Sequence, residues 1–314
     1  MSLLSVRDLR VAFGPTTVLS GVSFDLHAGE TLAVLGESGS GKSVTAMAVM
    51  GILDSPPARV TGGEIRYRDE DLLAMSERDR RRVRGREIAM VFQDALSALN
   101  PVFTVGWQIA ETLRVREGLA RREALARAVE LMELVRIPAA RERVHDYPHQ
   151  FSGGMRQRVS IAMALALNPA VLIADEPTTA LDVTVQAQIL DLLAELRRER
   201  NMALLLITHD LGVVAEVADR IAVMYAGRIV EQADVRSLFR APAHPYTRAL
   251  LASAPIVGVP PNLADLPAGC AFQPRCGYAR DLCRASAPST VDVGGGRASA
   301  CHFAREVLVD APTR

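Results

Sequence analysis

The sequence predicts an α/β protein with a parallel sheet, a small antiparallel β layer ahead of it, an inserted helical segment and a cysteine-containing C-terminal extension. Short apolar runs separated by turns fill residues 3–35, which is typical of a β layer. Helical spacing dominates about residues 97–160, and apolar strands alternate with helices from residue 171 to residue 225. Prolines, glycines and all four cysteines crowd the chain after about residue 233. We expect a core at 1–96 and 161–233, a helical subdomain at 97–160 and an extension at 234–314.

The individual elements follow from the hydrophobic pattern in chain order. Turns at 13–15 and 27–29 divide the first β layer, and an apolar strand at 31–35 leads through a glycine-rich loop into a helix at 44–53. Further strands are expected at 64–67, 87–92, 171–174, 203–207 and 221–225. Helices are expected at 121–135, 154–167, 183–198 and 211–218. Five prolines between residues 255 and 274 disfavour long elements in the extension.

Composition limits the classes of partner. The chain has 314 residues, of which 49% are hydrophobic, and its 36 basic and 36 acidic side chains cancel. This balance gives no reason to expect nucleic acid or an anionic membrane surface as a bulk partner. The N-terminus lacks the apolar segment of an export signal, and the most apolar stretch, 161–174, is shorter than the ~20 residues that span a bilayer. We expect a cytoplasmic protein that reaches a membrane only through a partner.

The glycine-rich loop carries the strongest functional signal. It reads Gly36-Glu37-Ser38-Gly39-Ser40-Gly41-Lys42-Ser43 and lies between the strand at 31–35 and the following helix. Backbone amides and a helix N-terminus in this arrangement bind phosphate. Lys42 is the only lysine in the chain, and its compact charge suits a slot beside phosphates better than the planar arginine side chain does. The Ser43 hydroxyl is expected to bind Mg²⁺ between the outer phosphates of a nucleoside triphosphate.

Two adjacent acids end the apolar run Val171-Leu172-Ile173-Ala174. Ligands of an open α/β sheet bind at the carboxyl ends of its strands. Asp175 is therefore a candidate Mg²⁺ ligand, and Glu176 a candidate general base that deprotonates an attacking water.

Two further polar residues follow apolar strands. His209 ends the run at 204–208 and is a candidate contact of the γ-phosphate and the catalytic water. Gln93 ends the run at 88–92 and is a candidate contact of Mg²⁺ and water. Taken alone, a histidine at a strand end is more often structural, and a glutamine there is more often an ordinary loop residue.

The segment Phe151-Ser152-Gly153-Gly154 opens a long apolar helix and has the character of a second anion site. Neither a lysine nor a metal-binding acid accompanies it, so it is interpreted as half of a site that a nucleotide on another chain completes. An ordinary helix cap next to a flexible glycine pair is the alternative, and the segment by itself does not decide between them.

Taken together and in this order, the loop at 36–43, Gln93, the segment Ser152-Gly153-Gly154, Asp175-Glu176 and His209 resemble the ATP-binding cassette ATPases. The resemblance covers residues 1 to about 232 and implies a P-loop NTPase (RecA-like) core with a helical subdomain that carries the Ser-Gly-Gly signature. It implies two cassettes that enclose two ATP molecules. By the same resemblance Phe13 stacks on adenine and Asp182 belongs to the loop that communicates across the dimer. Phe151 and Met155 depart from the usual Leu and Gln, outside the phosphate-contacting residues.

Three shorter strings narrow the resemblance. Those at 92–101, 181–188 and 244–247 are similar to strings in the ATPases of dipeptide and oligopeptide importers, and nickel importers share them. This implies uptake of a peptide, or of nickel or another small solute, with ATP hydrolysis driving two membrane permeases at the cytoplasmic face of the inner membrane. It also implies a second ATPase subunit, more often a paralogue than an identical chain, and an extracytoplasmic solute-binding protein. A soluble cassette protein acting on ribosomes or DNA is the alternative from another class, and a non-hydrolytic regulatory subunit is a third.

The four cysteines, Cys270, Cys276, Cys283 and Cys301, all lie in one window of the extension. A cytoplasmic setting disfavours disulfides, which makes a metal site the leading interpretation. Their spacing lacks the paired Cys-x-x-Cys of structural zinc sites, so the spacing does not choose a metal. The similar tail of the peptide-importer ATPases implies a 4Fe-4S cluster, while zinc and unliganded or disulfide-bonded cysteines stay open.

Overall fold

The protein is described by a computed structural model over residues 2–94, 98–179, 181–252 and 256–310. The strands are β1 (Leu4–Phe13), β2 (Thr16–Leu26), β3 (Thr31–Leu35), β4 (Ala58–Tyr67), β5 (Glu70–Asp71), β6 (Ile88–Val91), β7 (Val171–Asp175), β8 (Ala203–Thr208), β9 (Arg220–Tyr225), β10 (Arg228–Asp234), β11 (Val291–Gly294) and β12 (Arg297–Ser299).

The helices of the described residues include α1 (Lys42–Met50), α2 (Glu77–Val83), α3 (Val105–Glu117), α4 (Arg121–Leu134), α5 (Ala140–Arg143), α6 (Gly153–Leu165), α7 (Val183–Arg200), α8 (Leu211–Val217), α9 (Val235–Arg240), α10 (Pro245–Leu251), α11 (Asp281–Ala285) and α12 (Ala304–Val309). The strands and helices predicted from the sequence all form, with bounds that differ by a few residues. No helix in the described ranges is both long and apolar enough to cross a bilayer.

The chain divides into a first unit, Met1–Ala74 with Leu206–Arg314, and a second unit, Met75–Leu205. The boundary predicted between residues 96 and 97 lies outside the described residues, and the predicted three-part division stays a prediction.

An antiparallel sheet opens the first unit, with the strand order β2-β1-β4-β5. Strands β1 and β2 form a hairpin in which Phe13 pairs with Thr16, so Gly14 and Pro15 make the turn. Gly14 has a φ of 56°, a left-handed conformation that glycine adopts without the steric cost of a Cβ. Alternate side chains of β1, including Leu4 and Val6, are buried. This sheet is the small β layer that the sequence predicted.

The second sheet of this unit mixes parallel and antiparallel pairs. Strand β3 runs parallel to β9, whereas β10 runs antiparallel to both β9 and β12, and β11 closes the edge beside β12. Strands β11 and β12 come from the C-terminal extension, whose prolines suggested only short elements. The extension therefore continues the sheet that carries the glycine-rich loop, a pairing with no local sequence signal.

Apolar side chains of the extension pack against this sheet. Tyr246 and Phe272 from the extension pack with Tyr225 at the end of β9, with ring centroids 4.5–5.4 Å apart, and all three side chains are buried. Buried aromatic side chains contribute large apolar areas to a core. The extension is thus part of the hydrophobic core of the first unit.

The second unit holds the parallel pair β6–β7 and the helices α2 to α7. Strand β8 contains the point in the chain, between residues 205 and 206, at which the second unit ends and the first resumes. The five residues of β7 are all buried, which explains their uninterrupted apolar sequence. Helices α3, α4 and α6 pack together in the predicted helical region.

Candidate active site

The glycine-rich loop of the first unit begins at the carboxyl end of β3 and ends where α1 starts. A Cβ on Gly36 would lie 2.2 Å from the carbonyl oxygen of Met224, and one on Gly41 would lie 2.7 Å from Leu19. Gly41 has a φ of 104° and forms the N-cap of α1. Glycine is required at these two positions by close packing, and at Gly41 by the backbone conformation as well.

Lys42 is the first residue of α1 and is 5% exposed. Its Nζ donates hydrogen bonds to the carbonyl oxygens of Gly36, at 2.8 Å, and Glu37, at 3.0 Å. The ammonium group therefore lies over the loop, at the helix N-terminus that favours anions. Ser43 follows in the first helical turn and is half-buried. This geometry suits the predicted role of the loop as a phosphate site.

Phe13 and His209, the other two predicted site residues of the first unit, lie at strand ends. Phe13 is the half-buried last residue of β1. His209 is exposed directly after β8, and the neighbouring Asp210 caps α8 by accepting hydrogen bonds from the amides of Gly212, at 2.8 Å, and Val213, at 3.3 Å. This cap fixes the backbone next to His209.

The two acids of the second unit end strand β7. Asp175 is 5% exposed, while Glu176 is half-buried and has a φ of 45°. A non-glycine residue with a left-handed backbone is strained, and such residues concentrate at functional sites. The chain thus leaves the extended conformation of β7 between Asp175 and Glu176.

The structure brings Gln93 to Glu176. The amide nitrogen Nε2 of Gln93 donates to Glu176 Oε2 at 2.9 Å, and the Thr179 hydroxyl donates to the same oxygen at 3.0 Å. The sequence predicted Gln93 and Glu176 separately, and their contact joins residues 83 positions apart. Thr179 was missed as a site residue, although its place three residues after Glu176 could have suggested it.

The predicted second anion site lies at the start of α6. Ser152 caps this helix by accepting a hydrogen bond from the Met155 amide at 3.4 Å. A Cβ on Gly154 would lie 2.5 Å from Val185 in α7, so this glycine lets the two helices approach closely. Asp182 caps α7 and accepts from the Val185 amide at 3.0 Å. Ser152, Gly153 and Asp182 are exposed at these helix starts, so both interpretations of the segment remain compatible with its geometry.

The four cysteines of the extension are free thiols. Cys283 and Cys301 are buried, and Cys270 and Cys276 are half-buried. Burial raises the pKa of Cys270 and Cys276 and raises the pKa of Cys301 to about 11, and charge repulsion among the four thiols adds to each increase. Four soft sulfur donors therefore lie within electrostatic range of one another.

Within the described ranges, however, no three His, Cys, Asp or Glu side chains are arranged to hold a metal ion. The described residues therefore contain no preformed metal-binding group that would support the predicted 4Fe-4S cluster. A single tetrahedral ion with bonds of about 2.3 Å would need its sulfurs tightly gathered. In a 4Fe-4S cluster each thiolate binds a different iron, so its donors stand further apart. Four cysteine thiols are a donor set that both structural zinc and iron–sulfur clusters use, so the donor chemistry is compatible with either.

In the first unit a glycine-rich loop surrounds a buried lysine between a strand and a helix, and in the second unit an acid pair ends a buried strand. These are the motifs of a phosphate-loop ATPase. The profile described as "ABC transporter" matches residues 19–179, and that of "Oligopeptide/dipeptide transporter, C-terminal region" matches residues 230–283. The chain belongs to the ABC transporter family and is an ATPase of that family.

Relatives are similar over their whole length. The "Probable peptide ABC transporter ATP-binding protein y4tR" of Sinorhizobium fredii is 49% identical over 98% of this chain and 96% of that protein. "Dipeptide transport ATP-binding protein DppD" of Escherichia coli is 48% identical over 96% of this chain and 97% of its own length. The predicted resemblance to peptide-importer ATPases is confirmed.

Solved structures support the same family. The ATP-binding cassette MJ0796, solved as a dimer in a post-hydrolysis state bound to ADP and Pi, is 26% identical with a TM-score of 0.66, covering 74% of this chain and 99% of its own. The protein cbiO1 from Clostridium perfringens, part of the ABC transporter complex cbiONQ, is 28% identical with a TM-score of 0.66, and the similarity covers 76% of this chain and 90% of cbiO1. The predicted P-loop NTPase fold is confirmed.

Proposed function

We propose that this chain is the ATP-hydrolysing subunit of an importer for dipeptides or oligopeptides. The observation that carries the proposal is the match of residues 230–283 to the C-terminal region of oligopeptide and dipeptide transporters. This region packs into the core of the first unit through Tyr246 and Phe272. The relatives named for peptide transport include the same region in their nearly full-length similarity.

Each site residue has its own role in the binding and hydrolysis of ATP. Lys42 and the loop at 36–43 bind the triphosphate of ATP, and Phe13 stacks on its adenine. Glu176 accepts a proton from the attacking water, and Gln93 and Thr179 hold the carboxylate that does so. His209 contacts the γ-phosphate. Ser43, Gln93 and Asp175 supply oxygen ligands suited to Mg²⁺, which when bound neutralises charge on the phosphate oxygens.

The partners follow from the half-site character of the segment at 152–154. A second cassette, preferably a paralogue, contributes its own phosphate loop to Ser152, Gly153 and Gly154 of this chain, and Asp182 lies at the same interface. The dimeric state in which the cassette MJ0796 was solved supports such an arrangement. Two permeases hold the pair at the cytoplasmic face of the inner membrane, and a solute-binding protein delivers the peptide from outside.

Uptake by whole cells tests the transport function. In a strain that lacks this gene, uptake of a radiolabelled dipeptide should fall and should return with the wild-type gene, but not with Lys42→Ala, which loses the phosphate-binding ammonium. Radiolabelled Ni²⁺ serves as the second probe. If the deletion strain loses only Ni²⁺ uptake, the transported solute is a metal ion and not a peptide. If neither probe responds and the chain co-purifies with ribosomes or DNA instead of permeases, the importer role is wrong.

We further propose that Cys270, Cys276, Cys283 and Cys301 hold a 4Fe-4S cluster. The free thiols of all four residues and the apolar surroundings of Cys270, Cys276 and Cys301 support this assignment. Anaerobically purified protein should absorb broadly at roughly 400 nm and contain iron and sulfide in about equal amounts. A Cys283→Ser variant should lose most of this absorbance. Colourless protein that carries stoichiometric zinc would contradict the assignment.

A further inference from the structure

The cysteine-rich extension reaches the phosphate loop through one ion pair. Arg275, next to Cys276, donates from Nη1 to Glu37 Oε2 at 2.7 Å and from Nη2 to Glu37 Oε1 at 3.0 Å. Glu37 is the second residue of the phosphate loop, 238 positions away in the sequence. A bidentate pair of this kind fixes both the position and the plane of the carboxylate.

Tyr246, a second residue of the extension, contacts the backbone of Glu37. The Tyr246 hydroxyl accepts a hydrogen bond from the Glu37 amide at 2.9 Å. The Glu37 carbonyl in turn accepts from Lys42 Nζ at 3.0 Å. Side chain, amide and carbonyl of Glu37 therefore connect the extension to the phosphate-binding ammonium through a single residue.

The Arg275 side chain is only 5% exposed, so protein groups and not water must stabilise its positive charge. The Glu37 carboxylate raises the pKa of Arg275, chiefly by hydrogen bonding. The Tyr225 hydroxyl lies 3.5 Å from Nη1, and the guanidinium carbon lies 6.0 Å from the Tyr225 ring centroid. Removing the carboxylate would leave a buried cation without its counter-ion, which is far more costly than losing an exposed pair.

We propose that Arg275 is a positioning residue for ATP binding, acting through Glu37 on the loop that carries Lys42. Tyr246 supports the same loop residue from its amide. The affinity of the site for ATP consequently depends on an intact extension, which gives the cysteine-rich segment a direct route to the nucleotide. The inference rests on ATP binding at the loop and not on which solute is transported.

The test compares ATP affinity and turnover in the assembled transporter. Arg275→Met should raise the Kd and KM for ATP with Mg²⁺ on the order of tenfold while kcat at saturating ATP changes less than twofold. Arg275→Lys, which keeps the charge but not the two-pronged geometry, should recover part of the affinity. Glu37→Gln should weaken binding to a similar extent. The double variant Glu37→Gln with Arg275→Met should be no weaker than the worse single variant, because both remove one interaction.

The control is Arg7→Lys, which alters another arginine–carboxylate pair of the first unit. Nη2 of Arg7 donates to both Oδ1 and Oδ2 of Asp25, each at 2.7 Å. This pair is partly exposed on the antiparallel sheet, so ATP affinity should not change. If Arg275→Met lowers only the melting temperature and leaves Kd and KM at wild-type values, the proposal is wrong. Should the Arg275 variants fail to fold, unchanged affinity in Glu37→Gln overturns it equally. Absence of ATP binding by the wild type would instead reject the nucleotide site itself.

Discussion

Gln93 Nε2 donates a hydrogen bond of 2.9 Å to Glu176 Oε2, and this contact joins the end of β6 to the end of the neighbouring strand β7. The Thr179 hydroxyl reaches the same oxygen. Two donors on one carboxylate oxygen restrict rotation of the side chain. Gln93 thus helps to hold the side chain of Glu176, the candidate base, in one orientation.

Replacing Glu176 with Gln should separate catalysis from binding. The amide cannot accept the proton of the attacking water, so hydrolysis should fall by ~10²-fold or more while the Kd for ATP stays at the wild-type value. Steady-state phosphate release and ATP titration measure the two quantities. Glu199→Gln, an exposed carboxylate on α7, should leave both unchanged. Turnover close to wild type in Glu176→Gln would remove this residue from the role of base.

Thr179→Val should slow hydrolysis by about three- to tenfold, because one of two donors to Glu176 is lost while the volume of the side chain is kept. ATP affinity should not change. Thr179→Ser retains a hydroxyl and should restore most of the rate. The variants are compared by kcat in the assembled complex. Equal rates for Val and Ser would show that the hydroxyl has no part in orienting the carboxylate.

Gly36→Ala should destabilise the first unit, because the added Cβ would lie 2.2 Å from the backbone oxygen of Met224. Backbone atoms cannot move aside as a flexible side chain can, so a loss of about 2 kcal/mol or more is expected. Thermal unfolding without nucleotide measures it. Gly277→Ala, whose Cβ meets no atom within 4 Å, serves as the control. Equal melting temperatures of the two variants would contradict this account of the loop.

His244 should make the extension sensitive to acid. Its Nδ1 accepts a hydrogen bond from the Tyr246 amide, and burial lowers the pKa of His244 from 6.5 to about 3. Because the folded pKa is depressed, the stability contributed by neutral His244 is complete above pH 6.5 and is lost as the pH falls towards 3. At pH 5.5, one unit below the unfolded pKa, the free energy of unfolding should be lower by about 1.4 kcal/mol.

His244→Asn tests this sign, since its side-chain oxygen can accept from the same amide but does not titrate. Melting temperatures at pH 7.5 and pH 5.5 give the acid-induced loss for each protein. The loss should be smaller in the variant by about 3 °C. Burial raises the pKa of the Glu231 carboxyl group, so its protonation favours the folded state as the pH falls. Glu231 is present in both proteins, so its contribution cancels in the comparison. An equal loss in both proteins would show that His244 does not titrate as inferred.

Local signals sufficed for much of the fold. Strand β7 was predictable because its five residues are apolar and buried, and α6 because a serine cap and glycines precede an apolar helical pattern. The pairing of β10 with β12 was not predictable, since it joins Glu231 to Ser299 across the length of the extension. Pairing between strands distant in sequence depends on the whole fold and not on local preference.

For the candidate site, the sequence by itself determined the chemical groups: the single lysine in its glycine-rich loop, the acid pair at a strand end, and the order of the motifs. These groups are readable because phosphate binding demands particular residue types at fixed local spacing. Only the tertiary structure decided that Gln93 and Thr179 share one oxygen of Glu176, and that Arg275 and Tyr246 hold Glu37. Hydrogen bonds between residues 83 or 238 positions apart leave no local pattern, because their geometry exists only once the sheet and the extension have packed.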